Sequence, residues 1–141
     1  MKIATWNIER LKHSKRSNEI ISICNDLGAD VLVLTETDER IRPNYNYSIL
    51  TEQLDGNGGV LYKPTERRVS ICTNYPCVHK YPTYDEKTSL CVELATPYGP
   101  LIVYGTIIGV FGNRHPSYQE DLSKTFSDIA SLPHGTRACS H

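Results

Sequence analysis

At 141 residues the chain has the length of one ordinary domain and can bury a core of its own. Hydrophobic residues are 39% and charged residues 22%, which excludes a disordered chain, and no apolar run approaches the length of a membrane span. The net charge of −1 excludes global attraction to nucleic acid, so any such binding must come from a local patch.

In chain order, Lys2 to Glu9 alternates, with Ile3, Thr5 and Asn7 on one face and Ala4, Trp6 and Ile8 on the other, and reads as a strand. Arg10, Lys12, His13, Lys15 and Arg16 follow as a basic cluster. A helix is expected from about Ser17 to Leu27, where Ile20, Ile23, Cys24 and Leu27 share a face and Gly28 supplies the stop. Val31 to Leu34 is apolar on both faces and suits a strand covered on both sides. Tyr45 to Leu50 and Gly59 to Lys63 read as strands joined by the turn Asp55-Gly56-Asn57-Gly58, and Val69 to Thr73 as another short strand. Ser89 to Ala95 and Leu101 to Ile108 bracket Thr96-Pro97-Tyr98-Gly99-Pro100, an antiparallel hairpin with a longer turn. A last helix starts at Pro116, carries Tyr118, Leu122, Phe126 and Ile129 on one face, and stops at Pro133-His134-Gly135. There is no repeat and no linker, so residues 1–141 read as a single domain.

Cys24, Cys72, Cys77, Cys91 and Cys139 form an odd set without a Cys-x-x-Cys pair, and no signal peptide precedes the first strand. Reduced thiols in a cytoplasm are expected.

The chemistry gathers at two strand ends. Asn7 closes the first strand and Glu36 follows Val31-Leu32-Val33-Leu34-Thr35, with a helical segment between them. A βαβ unit brings both strand ends to one sheet edge, and in open α/β sheets ligands bind outside the carboxyl ends of the strands. An amide and a carboxylate meeting there are oxygen donors of the kind a hard divalent cation takes. The alternatives are turn chemistry for Asn7 and a loop or capping carboxylate for Glu36. Further on, Asn113 and Arg114 precede the last helix, and Arg114 has the fork that pairs with phosphate, against the plainer reading of a surface arginine. Tyr81 and Tyr84 beside Pro82 could stack bases, although packing accounts for most tyrosines.

Thr5-Trp6-Asn7-Ile8 followed by Leu34-Thr35-Glu36-Thr37 resembles the start of the endonuclease/exonuclease/phosphatase superfamily, whose relatives include pancreatic-type DNases, abasic-site endonucleases and inositol-polyphosphate phosphatases. The similarity runs from Met1 to about Leu132. It implies an α/β fold, the N-terminal half of a four-layer α/β sandwich: one mixed, mostly antiparallel sheet with helices on one face. It also implies Mg²⁺ or Mn²⁺ as cofactor, Asn7 and Glu36 as catalytic and metal-site residues, and a phosphate ester, with nucleic acid among the candidates, as substrate. Where many relatives carry a His or Tyr, this sequence has Thr106, which donates a hydrogen bond but is no acid near neutral pH. The superfamily's Gly-Asp-x-Asn and closing Asp-His motifs do not occur here. The sequence therefore reads as a truncated member whose open apolar sheet face invites self-association or a partner chain. A non-catalytic fragment or interaction module is the competing expectation.

Overall fold

The computed structural model describes residues 1–12, 14–54, 62–108 and 117–133. They form two compact units, Met1–Ile107 and Ile108–His141. In the first, β1 (Ile3–Asn7) leads through 3-10 turns at Glu9–Leu11 and Ser14–Arg16 into α1 (Ser17–Asp26). Then come β2 (Val31–Asp38), β3 (Tyr47–Leu50), β4 (Glu66–Thr73), β5 (Cys77–Tyr81), β6 (Ser89–Thr96) and β7 (Gly99–Thr106). The second unit contains α2 (Ser117–Ser131), on which Tyr118, Phe126 and Ile129 of the expected apolar face are exposed.

Four strands make a mixed sheet in the order β1-β2-β4-β3, with β1 parallel to β2 and the other pairs antiparallel; β5-β6-β7 make a second, antiparallel sheet. Strand alternation then sorts β2 into two faces. Leu32 and Leu34 join Cys72 against Ile20 and Cys24 of α1, with Ala4 and Trp6 packed alongside. Val31 and Val33 join Val69 and Ile71 against Leu90, Val92 and Leu94 of the second sheet. The α/β class and the doubly covered Val31–Leu34 strand are as expected.

The expectation of one sheet with an open apolar face is corrected: the hairpin strands belong to a separate sheet, and that sheet covers the face. Gly105 permits the contact. A Cβ there would lie 2.7 Å from Val69 Cγ1 and 3.3 Å from Val33 Cγ1, so the sheets meet at a distance only glycine tolerates.

Smaller differences have local causes. The helix face uses Ile20, Cys24, Ile21 and Leu27, while Ile23 is exposed. Gly28 takes φ +57° just past the helix, the left-handed stop read from its identity. The hairpin turn is tighter than expected: Thr96 pairs with Gly99, and the Thr96 hydroxyl accepts from the Tyr98 N–H and donates to the Gly99 carbonyl. Strand β5 has no apolar alternation to announce it; it is held by its ladder to β6 and by the Tyr81 hydroxyl bond to Glu93. The expected turn at residues 55–58, and residues 59–61 of the strand after it, lie outside the described residues. Cys24, Cys72 and Cys77 are free thiols, and burial, aided by Cys72 nearby, pushes the Cys24 thiol up to about 11. Among the described residues no helix is long and apolar enough to cross a membrane.

Candidate functional site

The parallel pairing of β1 and β2 sets Asn7 beside Thr35, one residue before Glu36, and the Ile8 N–H extends the ladder to the Thr35 carbonyl (3.1 Å). The end of β1 therefore comes beside the Thr35–Glu36 stretch of β2. The Glu9–Leu11 turn lies against β2 at the same corner. Glu9, Arg10 and Glu36 have φ of +54°, +58° and +48°, the only non-glycine residues with positive φ among those described. Each such residue costs roughly 1–3 kcal/mol, and strain of this kind concentrates at functional sites. All three fall at this one corner.

Local chemistry explains part of the strain. Asn7 Oδ1 accepts the Glu9 N–H at 2.9 Å, an Asx turn that bends the chain straight out of β1. The turn role weighed for Asn7 is thus realised, and its amide N–H₂ is the part of the side chain that faces new chemistry as a donor. Glu36 does not end a strand, as its neighbours read in the sequence; β2 continues through it to Asp38. Thr35 pairs with Val69 and Thr37 with Arg67 on either side, so the register holds while Glu36 alone leaves the pleat. Its side chain is 26% exposed.

Around Glu36 the corner is densely charged. Arg68 Nη2 lies 3.8 Å from Glu36 Oε1. Burial lowers the Arg68 guanidinium from its ordinary value, opposed by Tyr62 and Glu36. Arg10 pairs with buried Glu66 at 3.2 Å and lies over the Tyr62 ring at 4.8 Å. Asp38, fully buried, takes a two-pronged pair from Arg40 at 2.9 Å and a hydroxyl bond from Thr65. Burial raises its carboxyl, but the bonds from Arg40 and Thr65 outweigh burial and hold it below the usual carboxylate range. Arg10 of the basic cluster is therefore engaged by Glu66, while Lys12, Lys15 and Arg16 are exposed. A concavity of about 300 Å³ adjoins Asn7 between β1 and α1, lined by Trp6, Glu9, Arg16 and Ile20 among others; it does not include Glu36.

Among the described residues no three His, Cys, Asp or Glu side chains cluster to hold a metal. The donors present still fit a hard, well-hydrated cation. Mg²⁺ keeps several waters and takes only one or two protein carboxylates, and Glu36 is a partly exposed carboxylate.

The other expected residues are not all brought here. The Thr106 hydroxyl is hydrogen-bonded to the Ser89 hydroxyl at 2.7 Å, across the β6–β7 ladder. Asn113, Arg114 and His13 lie outside the described residues. Sequence reading missed Arg68, Glu66 and Tyr62. The available signal was Glu66-Arg67-Arg68 running directly into an apolar strand, an odd place for three charges.

No protein-family model and no curated protein matches the chain. Solved structures do. A structure of D. rerio TDP2 complexed with a single strand DNA product aligns with a TM-score of 0.70 at 13% identity, over 94% of this chain and 56% of that one. An endonuclease/exonuclease/phosphatase from Beutenbergia cavernae aligns at 0.63 and 16% identity, over 94% and 44%. The endonuclease domain of TRAS1, a telomere-specific non-LTR retrotransposon, aligns at 0.57 and 11% identity, over 88% and 52%. The chain has the endonuclease/exonuclease/phosphatase fold. It spans about half the length of these solved structures.

Proposed function

We propose that this chain supplies the Asn7–Glu36 part of a divalent-cation-dependent phosphodiesterase site that hydrolyses a phosphate ester, nucleic acid being the favoured class. The observation that carries the reading is the gathering of Glu9, Arg10 and Glu36, the strained non-glycine residues among those described, where the end of β1 meets β2. The fold shared with the TRAS1 endonuclease domain and with D. rerio TDP2, the latter complexed with a single strand DNA product, supports it.

In this reading Glu36 holds Mg²⁺ or Mn²⁺ through its carboxylate. The bound cation supplies charge neutralisation at the phosphate oxygens during in-line attack. Asn7 donates from its amide to a phosphate oxygen or to the Glu36 carboxylate. Lys12, Lys15 and Arg16 attract the polyanion locally, and Asn113 and Arg114 are proposed phosphate contacts. No candidate here activates water, since neither Gly-Asp-x-Asn nor Asp-His occurs in the sequence. General-base help is worth about 10²–10⁴-fold, so we expect hydrolysis by these 141 residues alone to be weak.

The test pairs binding with turnover. Titrated Mn²⁺ should broaden the amide signals around Glu36, and Glu36→Gln should abolish this, while plasmid DNA with Mg²⁺ stays largely uncut. Sharp signals at Glu36 while others broaden would overturn the ligand role. Robust cleavage lost in Glu36→Ala would overturn the view that the site is incomplete. A second reading, an interaction module without catalysis, is favoured by the exposed Tyr118, Phe126 and Ile129 on α2. It predicts neither Mn²⁺ broadening nor cleavage.

A further inference from the structure

A buried cation stands behind the proposed ligand. With Thr35 opposite Val69 and Thr37 opposite Arg67, Glu36 and Arg68 are left facing each other across the β2–β4 ladder. The Arg68 side chain is 3% exposed, far drier than Glu36. Taking an unpaired charge out of water costs several kcal/mol, so a guanidinium at this depth needs a specific counter-charge. Glu36 Oε1 at 3.8 Å is one. Two guanidinium groups lie over the Tyr62 ring, Arg68 at 6.0 Å and Arg10 at 4.8 Å. Arg10 is fixed in turn by Glu66, which shares a strand face with Arg68. A chain of charged and aromatic contacts therefore runs from the turn after Asn7, through Arg10, Tyr62 and Arg68, to Glu36.

We propose that Arg68 is a positioning residue: its buried guanidinium engages Oε1 of Glu36 and fixes the direction of the carboxylate, leaving Oε2 as the oxygen offered to a divalent cation. The proposal rests on the reading of Glu36 as a cation ligand and goes beyond it by naming the group that aims that ligand. Two effects compete. Arg68 repels an approaching cation through its charge, but it also removes the rotamer freedom that an unheld Glu would lose on binding. Partners that orient a metal ligand typically carry 10- to 100-fold in affinity. A guanidinium at 3.8 Å, beyond direct hydrogen-bond length, fits the lower end.

The experiment compares Mn²⁺ titrations of the intact chain, Arg68→Met and Arg68→Lys, read by paramagnetic broadening at the Glu36 amide. The signals of Leu34, Val69 and Ile71 report whether the ladder is intact. With that ladder preserved, Arg68→Met should need about 10-fold more Mn²⁺ for the same broadening, and Arg68→Lys should recover most of the loss. Unchanged or tighter binding in Arg68→Met overturns the positioning role and leaves only repulsion. Sharp Glu36 signals in the unaltered chain overturn the ligand reading itself, and the proposal with it. Should Arg68→Met not fold, the side-chain Nε–Hε signal of Arg68 in the native sequence decides. It should move on adding Mg²⁺ and again in metal-free Glu36→Gln; if it moves in neither, Arg68 does not act through Glu36.

Discussion

The two ends of β2 are built by different rules. From Val31 to Leu34 the strand is regular, apolar and fully covered, with α1 on one face and the second sheet on the other. From Glu36 to Asp38 the same strand turns through a positive φ and meets arginines in place of leucines: Arg68 at Glu36, Arg40 at Asp38. The ladder to β4 keeps one register throughout, so the apolar end fixes where the charged end sits. Side-chain alternation makes a one-residue slip costly only where a face is buried, and here both faces are. The stability of one end thus holds the geometry of the other.

The largest effect should come from damaging the apolar end. Leu32 is wholly buried in the α1-side core. Leu32→Ala should lower unfolding free energy by about 2–5 kcal/mol, seen as an earlier denaturation midpoint. If the two ends are coupled as argued, Mn²⁺ broadening at Glu36 should fade in the same range of denaturant. Persistence of that broadening after the core signals collapse would separate the ends.

The charged end should answer to pH. Asp38 is buried and its carboxyl sits below its ordinary value, so the folded state binds its proton less readily than the unfolded state does. Its contribution is present in full above the ordinary carboxylate value near 4 and is lost as pH falls through the lower folded value. Asp38→Asn should cost about 1.5–3 kcal/mol near neutrality, the worth of hydrogen bonds to a charged group. It should also flatten the stability profile below about pH 4. An unaltered acid limb would mean that Asp38 is not the titrating group.

Gly105 tests the covered face. Its added Cβ meets Val69 Cγ1, a stiff branched side chain on a central strand, so the sheets themselves must give. Gly105→Ala should cost about 1–3 kcal/mol, as overpacking does. A neutral result would mean the sheets stand further apart than 2.7 Å requires.

Legibility in the sequence followed the same division. Alternation located β1, the doubly apolar run located β2, and β1's parallel register with β2 then put Asn7 beside Thr35–Glu36 as the motif order implied. Those are period and burial signals, carried by neighbouring residues. What stayed hidden were contacts between distant segments. Arg68 and Glu36 are thirty-two positions apart in number and become neighbours only through antiparallel pairing. The second sheet was missed for a related reason: Ser89 to Ala95 and Leu101 to Ile108 read correctly as a hairpin, but nothing in their own pattern says which sheet they join. Edge strand β5, with Val78 exposed, offered no alternation at all.

The smallest effect is the most pointed, because its sign is reversed. Glu36 holds φ +48° in mid-strand, where a side chain other than glycine costs about 1–2 kcal/mol. Glycine removes that strain but adds chain entropy in the unfolded state, a penalty of roughly 0.5–1 kcal/mol. Deleting the carboxylate also leaves buried Arg68 without its Glu36 counter-charge, which opposes the gain. Glu36→Gly paired with Arg68→Met removes that last term, so the pair should be more stable than Arg68→Met alone by about 0.5–1 kcal/mol. It should bind no Mn²⁺ at this corner. Chemical denaturation of the two variants side by side measures the difference. A gain would show that the strain at Glu36 is kept for the direction it gives the carboxylate; a loss would show that the backbone favours this turn for reasons unrelated to the site.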